Sequence, residues 1–169
     1  MKKKVAILIE NLFDEQELIY PYHRLREEFD VVLVGTEADT VYSSKAGYAH
    51  KSDVASRDID PADFAGVFIP GGFSPDMMRR SEATIAFVRA MDEADKPIAA
   101  ICHGGWMLAS AADIKGKDVT CFFSIIDDLV HAGANYVDKE LVISGNILTS
   151  RTPKDLPALL PAFVEAVKG

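Results

Sequence analysis

Ala99-Ala100-Ile101-Cys102-His103-Gly104-Gly105 is the stretch that decides the fold. The apolar run beginning at Pro97 predicts a strand buried on both faces. It passes at Cys102 straight into a helix predicted over about residues 104–111, with no loop residues between. A side chain on such a strand-to-helix turn is pushed out over the end of the sheet, on a strained backbone. Gly104 and Gly105 allow helix and strand to pack closely. The helix start offers the sulfur unpaired N–H groups and a positive dipole end, and both favour thiolate over thiol. A thiolate is a nucleophile, and the same N–H groups can hold an oxyanion. A cysteine in apolar sequence is otherwise a small core residue, and the turn is what distinguishes the two readings.

Outward from this turn, strands and helices alternate. Residues 4–9, 30–34 and 65–69 read as buried strands. Residues 15–28 read as a helix in which Leu18, Ile19, Tyr22 and Leu25 share a face and Pro21 predicts a kink. Ser81 caps a helix running to about residue 93. Residues 42–49 read as a short hairpin, and short strands are expected near Val119, Tyr136, Val142 and Leu148. Residues 127–132 read as helical, and Pro153 opens a terminal helix. The alternation predicts one α/β domain over residues 1–169, a mostly parallel sheet with helices on both faces. Sites in such sheets form at the carboxyl ends of strands. Three turns fall there: residues 10–17, 70–76 and 102–105.

In the second of these turns, Gly71 and Gly72 follow a strand. Glycines there permit close backbone approach, and the Gly72 N–H could be a second oxyanion donor. The first turn is acidic. Asp14, Glu15 and Glu17 start a helix, where solvated carboxylates are favoured by the dipole. One of them, or Glu10 at the end of the first strand, is expected over the sheet end near Cys102, able to hydrogen-bond the sulfur or move a proton.

Composition narrows the function classes. With 169 residues, 49% apolar and 26% charged, the chain has the make-up of a single globular domain. A net charge of −8 opposes a phosphate backbone, so nucleic acid is not expected as a partner. No apolar run reaches the roughly 18 residues of a membrane span. Lys2 to Lys4 precede a short strand-like run, not a secretory leader. Two cysteines do not make a disulfide framework, and a cytoplasmic, reduced chain is the expectation. No His/Cys cluster has metal spacing, and no cofactor is expected. Cys121, His23, His50 and His131 read as packing or surface residues.

Five stretches together resemble the ThiJ/PfpI superfamily, specifically its PfpI-like intracellular proteases and general stress proteins. They are Glu17-Leu18-Ile19-Tyr20-Pro21-Tyr22-His23-Arg24-Leu25, Ile69-Pro70-Gly71-Gly72-Phe73-Ser74-Pro75-Asp76, Ala100-Ile101-Cys102-His103-Gly104, Ala132-Gly133-Ala134-Asn135-Tyr136 and Thr149-Ser150-Arg151-Thr152-Pro153. The resemblance implies a flavodoxin-like three-layer sandwich with Cys102 as nucleophile on its elbow and His103 beside it. It implies an oxyanion hole from the backbone of Gly72 and His103. Its triad acid, contributed by an adjacent subunit, falls on Asp76. It further implies dimers that assemble into hexamers, with the site near a subunit interface. The implied activities are peptide hydrolysis, cofactor-free glyoxalase activity on methylglyoxal or glyoxal, and deglycation of amines. A small dicarbonyl suits an interface site better than a folded protein does.

Three departures from the family pattern bear on the site. The family's acid in a Phe-Glu-Asp sequence aligns with Asp14 of Phe13-Asp14-Glu15, one methylene shorter, which leaves Glu15 and Glu10 as substitutes. The usual Pro after Cys-His-Gly is Gly105, followed by Trp106. A Tyr common near the site is Phe122. A non-catalytic oxidant sensor using the same thiol, or a chaperone, is the competing reading.

Overall fold

The computed structural model describes residues 2–169. Its strands are β1 (Lys4–Leu8), β2 (Asp30–Gly35), β3 (Val41–Ser43), β4 (Ala49–Lys51), β5 (Val54–Ala55), β6 (Gly66–Ile69), β7 (Ile98–Ile101), β8 (Asp118–Val119), β9 (Asn135–Tyr136), β10 (Val142–Ser144) and β11 (Ile147–Ser150). Its α-helices are α1 (Glu15–Glu28), α2 (Ser74–Met78), α3 (Glu82–Glu93), α4 (Gly105–Ala111), α5 (Ile126–His131) and α6 (Leu156–Lys168). Seven strands form one sheet in the order β10-β11-β7-β6-β1-β2-β5. Every neighbouring pair in it is parallel except β10–β11, an antiparallel hairpin at one edge. The expected hairpin is the separate pair β3–β4.

Both sheet faces are covered, which explains the continuous apolar runs of the central strands. Successive side chains of a strand point to opposite faces. Ala6 and Leu8 of β1 join one core with Val67 and Ile69 of β6, against Phe87 and Met91 of α3 and Leu108 of α4. Val5 and Ile7 join the other core with Phe68, Ala99 and Ile101, against Leu18 and Leu25 of α1 and Leu160, Phe163 and Val164 of α6. Helix starts follow local chemistry. Ser81 accepts from the Thr84 N–H as N-cap of α3, and Asp14 accepts from the Gln16 and Glu17 N–H groups as N-cap of α1. α1 runs on through Pro21, which sits on its buried side. At Pro153 the chain makes a single 3₁₀ turn before α6 begins. Among the described residues no helix is long and apolar enough to cross a membrane.

The connections after β1, β6 and β7 meet at one end of the sheet. Phe73 N–H donates to the Leu12 carbonyl at 2.8 Å, tying the turn after β6 to the turn after β1. Phe122 N–H donates to the Cys102 carbonyl at 3.3 Å, bringing the segment after β8 alongside.

Candidate active site

Cys102 follows β7 directly and opens a 3₁₀ turn, Cys102–Gly104, that leads into α4. Its φ is +60°. The left-handed region costs a non-glycine residue roughly 1–2 kcal/mol, so the surrounding packing holds this strain. The residue is 8% exposed, and the backbone N–H groups of His103 and Gly72 lie close enough to its sulfur to favour the thiolate.

The glycine turn after β6 explains how the backbone comes so close. Gly72 has φ +71°, and a Cβ there would lie 2.5 Å from the Asp14 nitrogen and closer still to the Leu12 carbonyl. At Gly71 a Cβ would meet Glu17 Oε2 at 2.5 Å and Cys102 Cβ at 2.9 Å. Gly104 lies beneath the turn against the Ile69 carbonyl.

The acid at the sulfur is Glu17. It is 0% exposed, its Oε2 accepts from the Gly71 N–H at 2.7 Å, and its carboxyl group lies beside the Cys102 thiol, close enough for each to shift the other's pKa. Among the described residues Oε1 has no well-formed hydrogen bond. This corrects the alignment-based expectation. Asp14 caps α1 and pairs with Lys45 at 2.6 Å. Glu15 faces outward to the Ala46 N–H at 2.7 Å. Glu10 turns toward β2, accepting from Asn11 N–H and Thr36 Oγ1 at 2.8 and 2.7 Å. The reason is helical geometry. Residues in one helical turn point about 100° apart, and only Glu17 lies on the stripe of Leu18, Pro21 and Leu25 that faces inward. Glu17 is the third residue of the helix after an Asp cap, where a carboxylate ordinarily folds back on the cap N–H. Its place on an apolar stripe is the sequence signal that could have marked it.

Burial, with the Asp14 charge added, pushes the Glu17 carboxyl up to about 8, so it holds its proton at neutral pH. Burial and the Glu17 charge push the Cys102 thiol up as well, against the two N–H groups that favour thiolate. The expected bias of the helix start toward thiolate is therefore outweighed in the resting site. With Glu17 protonated the repulsion disappears and its O–H becomes a donor to sulfur, so the two groups titrate as a unit.

His103 was expected to act through its backbone. Its ring also reaches the site. Nδ1 lies 3.4 Å from Cys102 Sγ and Nε2 3.3 Å from Ser124 Oγ. Burial and the Lys45 charge hold the imidazole below its ordinary pKa, leaving it neutral. Phe122 stacks on the ring, with centroids 4.9 Å apart and planes 29° apart, and Trp106 meets it edge-on at 5.0 Å. Asp76 in α2 pairs at 2.6 Å with Arg80, just beyond the C-terminal end of that helix. The cleft over the sulfur measures about 570 Å³; Leu12, Asp14, Glu17, Lys45, Gly72, Phe73, Cys102, His103 and Phe122 line it. Lys45 and Ser124 are site residues that sequence reasoning missed; neither stands in a motif. Among the described residues no three His, Cys, Asp or Glu side chains converge to hold a metal ion.

A strained cysteine at the junction of an inner parallel strand and a helix, beside a buried acid and an imidazole, has the backbone geometry of a nucleophile elbow in an α/β fold. The DJ-1/PfpI family model matches residues 3–166, and the chain belongs to that family as a PfpI-like hydrolase. Deglycase PfpI of Pyrococcus furiosus is 39% identical over 165 residues, covering 98% of this chain and 99% of the relative. YraA of Bacillus subtilis, whose name proposes a cysteine protease, is 44% identical over 159 residues and 94% of each chain. The crystal structure of a two-domain protein from Anabaena variabilis, with DJ-1/ThiJ/PfpI-like and ferritin-like domains, superposes with TM-score 0.96 at 38% identity; the match covers 99% of this chain and 48% of that one.

Proposed function

We propose that Cys102 is the nucleophile of an enzyme that acts without cofactor on reactive carbonyls: methylglyoxal, glyoxal, or amines glycated by them. The observation that carries this reading is the convergence on one sulfur of the Glu17 carboxyl group and two backbone N–H groups, in a cleft of about 570 Å³. A deglycase among the relatives supports it.

In this reading His103 Nδ1 takes the thiol proton and Sγ adds to the aldehyde carbon. The C–S bond forms as the carbonyl π pair moves onto oxygen, where the Gly72 and His103 N–H groups receive the charge. The proton then passes to that oxygen, giving a hemithioacetal. Glu17, with a pKa near 8, gives and takes protons at neutral pH and suits transfer between the two adjacent carbons of a dicarbonyl. Water then cleaves the resulting thioester, releasing a hydroxy acid and restoring the thiol. The net change is addition of water.

Peptide hydrolysis by the same thiol is the second reading, favoured by the name of the Bacillus relative. Oxidant sensing fits less well, since a thiol held protonated reacts slowly with peroxide. Leu12, Phe73 and Phe123 are exposed apolar side chains, and the first two line the cleft. They support assembly into dimers and hexamers with the site near a subunit interface, which light scattering after gel filtration would measure.

The test is glutathione-free turnover of methylglyoxal beside cleavage of a fluorogenic peptide, in wild type and Cys102→Ala. Loss of dicarbonyl turnover in the variant is expected, and equal rates would reject the reading.

A further inference from the structure

His103 presents one nitrogen to the sulfur and the other to a hydroxyl of its own chain. The sulfur contact is 3.4 Å from Nδ1 and the hydroxyl contact 3.3 Å from Nε2. Ser124 lies in the 3₁₀ turn Phe123–Ile125, twenty-one residues from His103, so tertiary structure alone joins them. The ring is clamped as well as bonded. Phe122 covers one face, and Trp106 abuts it edge-on. Trp106 is itself fixed, its Nε1–H donating to Asp128 at 2.7 Å. A ring held this way keeps its Nδ1 side on the sulfur, and the remaining variable is which nitrogen carries the proton.

For Nδ1 to accept the thiol proton, the neutral ring must carry its own proton on Nε2. A hydroxyl oxygen accepting at Nε2 favours that tautomer. We propose that Ser124 is a positioning residue, accepting the Nε2–H of His103 and so leaving the Nδ1 lone pair directed at Cys102. The relay Cys102–His103–Ser124 lies wholly within one chain. Asp76, the acid the family resemblance points to, pairs with Arg80 in this chain. When the thiol gives up its proton, Nδ1 receives it, the sulfur keeps the electron pair, and the imidazolium donates from Nε2 to Ser124. The titratable and charged groups facing the ring are Cys102 beside it, Lys45 from the β3–β4 turn and Glu17 across the sulfur.

The inference rests on Cys102 being the nucleophile, but its test does not require the substrate to be known. Nitrogen chemical shifts of His103 report the tautomer, and iodoacetamide alkylation of Cys102 from pH 6 to 9 reports the base. The variants are Ser124→Ala and Ser124→Thr, each checked for native circular dichroism. In Ser124→Ala the Nε2–H tautomer should lose population and alkylation at neutral pH should slow about fivefold, the worth of one ordinary hydrogen bond. Its pH profile should move upward. Ser124→Thr, which keeps the hydroxyl, should restore both. An unchanged tautomer and profile in Ser124→Ala would overturn the relay. A tautomer change in Ser124→Ala in a protein that consumes no dicarbonyl would uphold the relay and reject only the proposed substrate.

Discussion

Replacing Glu17 by Gln should make the protein more stable and less active, and the stability gain should depend on pH in a defined way. The Glu17 carboxyl group is buried and titrates near 8 in the folded chain against an ordinary 4.5. A carboxyl group whose folded pKa is raised contributes fully only below its unfolded pKa. Its contribution is lost as pH rises toward the folded value, because the unfolded state ionises first. Each pH unit across that window costs the folded state about 1.4 kcal/mol. Wild type should therefore carry a penalty of about 3 kcal/mol at pH 7 and under 1 kcal/mol at pH 5, by the same linkage. Gln keeps an amide oxygen to accept the Gly71 N–H and cannot ionise. The Cys102 thiol, also pushed up, stays neutral through this range. Urea denaturation at pH 5, 6, 7 and 8, at one protein concentration, measures the difference directly. It should grow steadily from pH 5 to 7 in favour of Glu17→Gln and level off above pH 8. A pH-independent difference, or a variant less stable than wild type at pH 7, would refute the reasoning.

Two further substitutions probe the same site. Gly72→Ala must place a Cβ against the backbone of Leu12 and Asp14 at a φ of +71°. The conformation alone costs about 1–2 kcal/mol, so thermal unfolding should show at least that loss, and an unchanged midpoint would mean the turn is not tightly held. Lys45→Met removes a cation that depresses His103 and pairs with Asp14. The His103 midpoint, followed by proton NMR, should rise while staying below that of an exposed histidine, because burial is the larger cause of its depression.

Much of the fold was legible in local sequence. Strands buried on both faces have no polar alternation, so β1, β6 and β7 read directly as apolar runs. The Ser81 cap and the passage from strand to helix at Cys102 are one-residue chemical signals with a single structural meaning. The antiparallel β10–β11 edge rests on a local signal that the parallel alternation overshadows: the two-residue connection Gly145-Asn146 is of hairpin type and brings β10 back beside β11.

The site divides on the same line. Local residue order is enough to put Cys102 on a strained turn with Gly71 and Gly72 opposite, since backbone that must approach so closely has no room for a Cβ. Tertiary structure alone decided which of four nearby carboxylates meets the sulfur. Glu10, Asp14, Glu15 and Glu17 are alike in chemistry and differ by where each points once α1 packs on the sheet. It also brought Lys45, Phe122 and Ser124 to His103 from distant segments. Local patterns fix backbone conformation because its causes lie within a few residues, whereas the environment that tunes a proton is assembled from parts of the chain that meet only on folding.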